Sequence, residues 1–236
     1  MPASGRLRFP AISVVIPVYN EEQTVAELIR RVRAVPLAKE IIVVDDASTD
    51  RTPAILAKLK GRDLRVFRQP RNQGKGAALR EGFKQARQEV ILVQDADLEY
   101  DPADYPELLE PLVRGVADVV YGSRLLTTKP RRVLFFWHAL VNRFLTTLCN
   151  LFSNLNLTDM EVCYKAFRRD ALTGVTLKEN RFGFEPEITL KFARRGLRFY
   201  EVGITYHGRT YQEGKKIGAK DAFRALYCIL RYGLWD

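Results

Sequence analysis

The chain has 236 residues, of which 47% are apolar and 28% are charged, and it contains three cysteines. This composition excludes a disordered chain, and the odd number of cysteines without a CxxC spacing argues against a small domain held by disulfides. Lysine and arginine outnumber the acidic residues by 38 to 28, so the net charge of +10 favours an anionic partner: a phosphorylated substrate, a phospholipid surface or nucleic acid.

The sequence also suggests where the chain works. Residues 1–9 lack the apolar stretch of a secretory signal, and no uninterrupted run of 18 apolar residues provides a membrane span. We therefore expect a cytoplasmic chain with reduced cysteines. Two histidines are too few for a metal site built on imidazole ligands.

Apolar runs alternate with helical patterns in the first half of the chain. The strands are predicted at residues 12–18, 40–44, 64–68, 89–94 and 117–121. The helices are predicted at residues 21–34, after the turn at 45–50, and at 76–86 and 102–114. Nearly continuous apolar strands that alternate with helices predict an α/β fold with a mainly parallel sheet, covered by helices on both faces.

The second half of the chain has a different pattern. Residues 131–157 are rich in large apolar side chains, interrupted by Asn142, Arg143 and Asn150. After them come a predicted strand at 162–167, a helix at 186–194, a strand at 198–204, a basic loop at 207–220 and a final helix ending at 232. The interrupted apolar segment and the final helix fit amphipathic helices that lie at a membrane surface, and they equally fit helices that close the core.

One loop of the predicted sheet carries three acidic residues. Ligands of such sheets bind beyond the carboxyl ends of the strands. Asp95, Asp97 and Glu99 lie at one of these ends, directly after the predicted strand 89–94. Carboxylates at this spacing can approach one cation, and Mg²⁺ or Mn²⁺ prefers oxygen ligands together with substrate phosphates. The sequence therefore predicts a metal site, with a solvated acidic turn as the alternative.

Further patterns fit the binding of phosphate and nucleotide. Asp46 follows a predicted strand, where its carboxylate would accept from a base or ribose donor, or cap the next helix. Lys75 lies in the sequence RNQGKG before a helix, and the first N–H groups of a helix attract phosphate. This sequence is not a Walker loop, and a plain loop is the simpler interpretation. The basic residues that are candidates for an anion site are Arg124, Arg131, Arg132, Arg209, Lys215 and Lys216.

Taken together and in order, several stretches resemble glycosyltransferase family 2, whose members have the GT-A fold. The first set comprises ISVVIPVYNEE, EIIVVDDASTDRT, NQGKGAALREGF, VILVQDADLEYDP and VVYGSR. The second set comprises LTDMEVCYKAFRRD, FGFEPEITLKFARRG and GRTYQEGKKIGAKDAFRALYCILRY. This second set resembles the polyprenyl-phosphate branch of the family, which includes the dolichyl-phosphate mannose and glucose synthases.

The resemblance implies roles for the residues that match these motifs. Asp97, Arg124 and Arg132 are expected to be catalytic, and Asp95, Asp97 and Glu99 are expected to hold Mg²⁺ or Mn²⁺. The residues expected to bind the nucleotide sugar are Pro17, Tyr19, Glu21, Val44, Asp46, Lys75, Asp95, Ala96 and Asp97. The residues expected near the acceptor phosphate are Arg124, Arg131, Arg132, Arg209, Lys215 and Lys216. The spacing does not decide between Arg131 and Arg132 as the second acceptor arginine.

The resemblance further implies a reaction: the metal-dependent, inverting transfer of a hexose-type sugar from a UDP- or GDP-linked donor to a polyprenyl monophosphate. The enzyme would be cytoplasmic and peripheral, at the inner face of a membrane with an anionic surface. One catalytic domain would cover residues 1–236, with a nucleotide-sugar-binding half at 1–124 and an acceptor-binding, membrane-proximal half at 125–236.

Two other functions compete with this one. A family 2 enzyme with a soluble sugar or glycan acceptor would need a base, for which Glu185 and Glu187 are candidates. A nucleic-acid-binding module would explain the positive charge, but the sequence has none of the common nucleic-acid-binding signatures. We therefore expect no nucleic-acid partner.

Overall fold

The structure, a computed structural model, describes residues 8–128, 132–133, 135–210 and 218–235. The strands are β1 Ile12–Val18, β2 Lys39–Asp45, β3 Leu64–Arg68, β4 Val90–Val93, β5 Val119–Ser123, β6 Lys165–Arg168 and β7 Phe199–Gly203. The helices are α1 Val25–Ala34, α2 Thr52–Lys58, α3 Lys75–Gln85, α4 Tyr105–Val113, α5 Phe136–Ser153, α6 Phe184–Arg194 and α7 Ala219–Leu234. Short 3₁₀ helices cover Pro102–Asp104 and Arg169–Leu172.

The strands of the described residues form one sheet in the order β3-β2-β1-β4-β6-β5-β7. Neighbouring strands are parallel except at β6, which runs antiparallel to β4 and β5. The predicted α/β class with a mainly parallel sheet is therefore confirmed. Because β6 is reversed, the segment that leads into it lies at the edge where the parallel strands end.

The central strands are buried on both faces. Successive residues of a strand point to opposite faces, yet nearly all residues of β1 and all of β4 are buried. Helices on both sides of a parallel sheet produce this pattern. The closest approach of α3 is at Gly82, where a Cβ atom would lie 2.3 Å from Cγ1 of Val15. The absence of a side chain at Gly82 is thus what lets this helix reach the sheet.

The helices α5 and α7 are amphipathic and pack against each other and against α6. In α5, Leu145 and Cys149 are buried, whereas Phe136 and Trp137 are 69% and 71% exposed. In α7, Phe223 is 73% exposed. One face of each helix therefore closes the core and the other exposes large apolar side chains, so the membrane-surface interpretation stays a prediction. No helix of the described residues is long and apolar enough to cross a membrane.

Candidate active site

The loops that follow β1, β2, β4 and β5 meet at one cavity of about 810 Å³. The side chains from these loops that line it are Pro17, Val18, Tyr19, Glu21, Asp46, Asp95, Ala96, Asp97, Glu99, Tyr100 and Arg124. The opposite wall comes from the second half of the chain and includes Trp137, Val141, Leu145, Ala222 and Ala225 of α5 and α7. The carboxyl edge of the sheet is therefore the site, as expected for this class of fold.

The backbone of these loops is strained. Asn20, Ala47 and Leu98 have φ angles of 52°, 58° and 61°, and they lie in the loops after β1, β2 and β4. A left-handed conformation costs about 1–2 kcal/mol for a residue with a Cβ atom. Of the other described residues with a side chain, only Asn154 adopts such a positive φ. Strain of this kind concentrates at functional sites, which agrees with the position of the cavity.

Asp97 lies at the centre of the acidic loop after β4. Its Oδ2 accepts from Nη2 of Arg209 at 2.9 Å, and its Oδ1 accepts from the backbone N–H of Glu99 at 3.1 Å. Burial and the charges of Asp95 and Glu99 raise the pKa of Asp97 to about 7, although the charge of Arg209 acts in the opposite direction. Burial and two neighbouring carboxylates thus disfavour the ionised form of Asp97 more than the guanidinium favours it.

The predicted set of three metal ligands is not assembled. Glu99 accepts from the backbone N–H of Arg209 at 2.8 Å and from the hydroxyl of Tyr206 at 3.0 Å. The described residues contain no group of three or more histidine, cysteine or acidic side chains placed to hold a metal ion. Mg²⁺ commonly takes only one or two carboxylates, and water and substrate phosphates complete its coordination. The chemistry of Asp95 and Asp97 fits that requirement, whereas Glu99 is engaged with its protein neighbours.

Lys75 joins the acidic loop to a second acid of the cavity. Its Nζ lies 3.0 Å from Asp95 and 3.0 Å from Oε1 of Glu185, at the start of α6. Burial opposes the charged form of Lys75, but the two carboxylates outweigh it and raise the pKa of the ammonium well above its usual range. The predicted phosphate-binding lysine therefore lies in the cavity, where it also neutralises two carboxylates.

Asp46 binds the loop before α3. Its two oxygens accept from the backbone N–H groups of Gln73 at 2.8 Å and Gly74 at 2.7 Å. A Cβ atom on Gly74 would lie 2.5 Å from the carbonyl oxygen of Asn180, so this glycine permits close packing against residues 179–181. The N–H groups of Gln73 and Gly74 are thus engaged by the protein, and the simpler interpretation of RNQGKG, a plain loop, describes them better than a phosphate cradle.

The remaining predicted nucleotide contacts differ in their positions. Pro17, Tyr19, Glu21 and Ala96 line the cavity. Val44 does not, because it is wholly buried in β2 and a Cβ atom on Gly82 would lie 3.5 Å from its Cγ2. Any contact between Val44 and a base would therefore have to come from its backbone, and the binding role of Val44 stays a prediction.

Arg124 is held by a buried carboxylate. Its Nε and Nη2 donate to the two oxygens of Asp159 at 2.6 Å each, and its guanidinium lies 5.3 Å from the ring centre of Tyr206. Asp159 is wholly buried and also accepts from Nδ2 of Asn142 at 3.1 Å. Burial alone would raise the pKa of Asp159, but the charge and hydrogen bonds of Arg124 lower it. This paired geometry fixes the plane of the guanidinium at the cavity wall.

The other basic residues predicted near the acceptor are not gathered around Arg124. Arg209 lies among the acids instead, 2.9 Å from Asp97, 3.4 Å from Glu99 and 3.8 Å from Glu21. Opposite charge explains this position, because the acidic loop after β4 is its nearest electrostatic partner, and a contact between Arg209 and the acceptor stays a prediction. Arg132 donates to the carbonyl of Gly208 at 3.1 Å and does not line the cavity. The last three predicted residues, Arg131, Lys215 and Lys216, lie outside the described residues.

Glu161 lines the cavity although the resemblance to the family implies no role for it. It belongs to residues 158–163, which lead into β6 and were predicted in part as strand. The reversed direction of β6 brings this segment to the carboxyl edge of the sheet. Burial and the charge of Glu185 raise the pKa of Glu161 to about 8, while Lys165 and Arg124 act to lower it. An acid directly before a strand was the available signal, but the direction of that strand was needed to interpret it.

With this geometry established, comparison with known proteins gives the family. The family model described as glycosyl transferase family 2 matches residues 13–175. The chain belongs to this family. The match covers every strand of the sheet except β7, together with the acidic loop, Arg124 and Glu161.

Several curated proteins of this family are similar over most of the chain. The dodecaprenyl-phosphate galacturonate synthase of Rhizobium johnstonii is 31% identical, over 93% of this chain and 65% of its own length. The dolichol-phosphate mannosyltransferase of Pyrococcus furiosus is 30% identical, over 95% of this chain and 64% of its own length. The chain thus spans less than two thirds of these two relatives. It spans 94% of the undecaprenyl-phosphate mannosyltransferase of Micrococcus luteus, at 30% identity.

Solved structures confirm the GT-A fold. Glucosyl-3-phosphoglycerate synthase from Mycobacterium tuberculosis, in complex with phosphoglyceric acid, superposes with a TM-score of 0.74. It is 23% identical and the match covers 94% of this chain and 80% of that one. The same enzyme with Mn²⁺, UDP and glucosyl-3-phosphoglycerate superposes with a TM-score of 0.73, also at 23% identity.

Proposed function

We propose that the chain is a glycosyltransferase that moves a hexose-type sugar from a nucleoside-diphosphate sugar to a polyprenyl monophosphate. One observation carries this proposal. A single cavity has a wall of acidic and basic groups at the carboxyl edge of the sheet, and an opposite wall formed by two amphipathic helices with exposed apolar faces. The names of the relatives from Rhizobium, Pyrococcus and Micrococcus, all polyprenyl-phosphate sugar transferases, support it.

In this proposal the two halves of the chain divide the substrates. Residues 1–124 bind the UDP- or GDP-linked donor through the loops that carry Tyr19, Asp46 and Asp95. Residues 125–236 bind the acceptor, together with Arg124 at the end of the first half. The mycobacterial neighbour, whose structure contains UDP and Mn²⁺, supports a nucleotide on the first half.

Asp95 and Asp97 would hold Mg²⁺ or Mn²⁺. When bound, the ion would neutralise the negative charge that develops on the departing diphosphate. The raised pKa of Asp97 supports this role, because burial and the charges of Asp95 and Glu99 disfavour an ionised carboxylate that a bound cation would stabilise. Arg209, which now contacts Asp97, would face the same diphosphate charge.

Arg124 would position the acceptor. The phosphate oxygen of a polyprenyl monophosphate is already ionised near neutral pH, so the reaction needs no strong base. Arg124, held in one plane by Asp159, would place that oxygen behind the anomeric carbon, and such in-line attack inverts the anomeric configuration. Arg132 is the second candidate for this role. It donates to the carbonyl of Gly208, which precedes Arg209 of the cavity wall.

The acceptor also defines where the enzyme works. Its long hydrocarbon chain stays in a bilayer, so the enzyme has to meet it at the surface. The exposed side chains of Phe136 and Trp137 on α5 and Phe223 on α7 suit the boundary between headgroups and acyl chains. We therefore place the enzyme in the cytoplasm, bound peripherally to the anionic inner face of the membrane.

A soluble hydroxyl acceptor is the second candidate. Glu185 favours it, because this buried residue lines the cavity and its Oε2 has no hydrogen-bond partner. A carboxylate in that position would act as the base that a hydroxyl acceptor requires.

The decisive experiment is a panel of UDP- and GDP-linked sugars incubated with short polyprenyl phosphates or with soluble sugar and glycan acceptors. Each reaction is run with Mg²⁺, with Mn²⁺ and with EDTA. We expect transfer to the polyprenyl phosphate only, and only with a metal ion. Transfer to a soluble acceptor alone would replace our proposal with the second candidate, and the absence of any transfer would contradict both.

A further inference from the structure

Three buried oxygens at the cavity lack a hydrogen-bond partner. They are Oδ1 of Asn142, Oε1 of Glu161 and Oε2 of Glu185, and all three residues line the cavity. Only 2% of the surface of Glu185 is exposed. Buried polar atoms are almost always hydrogen-bonded in proteins, so a group without a partner needs an explanation. A ligand that supplies the missing donors is one.

The three oxygens lie between the parts of the site assigned to the donor and to the acceptor. Glu185 contacts Lys75 at 3.0 Å, and Lys75 contacts Asp95 at 3.0 Å, on the diphosphate side. On the other side, Asn142 contacts Asp159, which holds Arg124. Glu161 lines the same cavity as Glu185 and Asn142, and the charge of Glu185 acts on it. In an in-line transfer, the sugar has to lie between the diphosphate and the acceptor phosphate.

The position of Glu161 is rigidly built. The Nζ atom of Lys165, which is itself buried, donates to the backbone carbonyls of Met160 at 3.0 Å and Val162, on either side of Glu161. The backbone N–H of Met160 donates to Oγ1 of Thr146 at 3.2 Å. These hydrogen bonds fix the backbone on both sides of Glu161, so its carboxyl group is preorganised for a ligand. Loop mobility therefore does not explain why its Oε1 lacks a hydrogen-bond partner.

The electrostatics of this region favour donors over anions. Each lysine or arginine among the described lining residues already contacts a carboxylate: Lys75 contacts Asp95 and Glu185, Arg124 contacts Asp159, Arg181 contacts Asp221 and Arg209 contacts Asp97. The amide oxygen of Asn142 can only accept, and the carboxyl oxygens of Glu161 and Glu185 accept when these acids are ionised. A carboxylate on the ligand would meet acceptors, whereas hydroxyl groups would meet their complement.

We propose that Asn142, Glu161 and Glu185 form the pocket for the transferred sugar, and that this pocket selects an uncharged, hydroxyl-bearing sugar over a uronate. The inference rests on the proposed function and names the class of sugar that it uses. Selection arises because sugar hydroxyls satisfy buried acceptors that otherwise stay unpaired. A uronate carries an ionised carboxylate in place of the C6 hydroxyl, and sites of this kind discriminate strongly against a ligand that lacks the expected donor.

The test compares binding of the nucleotide with and without its sugar, in the presence of Mg²⁺. The uridine series is UDP, UDP-glucose, UDP-N-acetylglucosamine and UDP-glucuronate, and the guanosine series is GDP, GDP-mannose and GDP-mannuronate. We expect at least one neutral sugar nucleotide to bind more tightly than its nucleoside diphosphate, and no uronate to do so. A uronate that binds as tightly as the best neutral sugar nucleotide would overturn the inference.

The variant Glu161→Gln keeps the shape of the side chain and replaces the carboxylate with an amide. At pH 9, where Glu161 with its pKa of about 8 is ionised, the variant should weaken binding of the preferred sugar nucleotide by about tenfold to a hundredfold, the range for a hydrogen bond to a charged group. Binding of the nucleoside diphosphate alone should not change, which also shows that the variant is folded. The matched control is Glu110→Gln on the exposed surface of α4.

The results separate the two levels of the proposal. If no nucleotide or nucleotide sugar binds, the proposed function fails. If nucleotide binding and sugar transfer are both present, but Glu161→Gln leaves the preference for the neutral sugar unchanged, the sugar pocket is wrong and the proposed function stands.

Discussion

Variants of Arg124 and Asp159 can distinguish a role of this ion pair in stability from a role of Arg124 in binding the acceptor. The perturbation is a pair of substitutions, Arg124→Met and Asp159→Leu, made singly and together. Arg124→Met leaves the wholly buried carboxylate of Asp159 without its two charge-assisted bonds of 2.6 Å. Removing one partner of a buried ion pair costs about 3–5 kcal/mol. We expect the lower part of that range, because the side chain of Arg124 is 22% exposed.

The double variant should recover part of this loss. Replacing a buried ion pair with apolar groups of similar volume is often neutral for stability. Here the recovery is incomplete, because Nδ2 of Asn142 and the backbone N–H of Arg124 also donate to Asp159 and lose their partner. Each lost hydrogen bond costs about 1 kcal/mol, so the free energy of unfolding of the double variant should be about 2 kcal/mol lower than that of the wild type.

Acceptor affinity should behave differently from stability. If Arg124 binds the acceptor phosphate, Arg124→Met and the double variant should both lose about tenfold to a hundredfold in affinity for a short polyprenyl phosphate. Urea unfolding at pH 7 measures stability, and titration of the donor-bound enzyme measures acceptor affinity. Recovery of the affinity together with stability in the double variant would refute the binding role and leave Arg124 a purely structural residue.

The same pair predicts how stability depends on pH. Because Arg124 lowers the pKa of Asp159 in the folded state, the pair stabilises the protein above the unfolded pKa of about 3.9. This contribution is lost as the pH falls through the lower, folded pKa. The wild type should therefore lose more stability than the double variant between pH 5 and the acid limit, about pH 2. Parallel curves for the two proteins would contradict the assignment.

Asp97→Ala should abolish transfer without unfolding the protein, and EDTA should abolish transfer by the wild type; activity that survives thorough chelation would exclude the metal role. Trp137→Ser combined with Phe223→Ser should weaken binding to anionic liposomes. The control Val116→Ser, at an exposed site on the first half of the chain, should not. Equal losses in the two proteins would argue against membrane binding through the exposed apolar faces of α5 and α7. Gly82→Ala should lower the free energy of unfolding by up to about 2 kcal/mol, since overpacking costs about 1–3 kcal/mol and helix propensity returns about 1. An unchanged urea midpoint would contradict this packing argument.

Much of the architecture could be predicted because it is encoded locally. The strands β1 and β3 were predicted with their observed ends, and the other strands and the helices were placed close to theirs. Apolar runs bounded by turns identify buried strands whatever the rest of the chain does. The family and the GT-A fold are confirmed for a related reason, since the matching motifs are short and follow each other in a fixed order.

The positions of the site loops followed from the same local information. A parallel sheet brings the ends of its strands to one edge, so the sequence alone predicts that Tyr19, Asp46, Asp95 and Arg124 lie together. The assignment of roles to them remains a prediction, because the proximity of side chains does not establish what they bind.

The partners of the individual side chains depended on the tertiary structure. Asp46 engages the loop before α3, Arg209 joins the acids after β4, and Val44 points into the core, none of which the spacing of residues along the chain determines. Glu161 is the clearest case. Its place at the cavity follows from the reversal of β6, and strand direction is set by which neighbouring strands supply hydrogen bonds across the sheet, a long-range property that local periodicity does not contain.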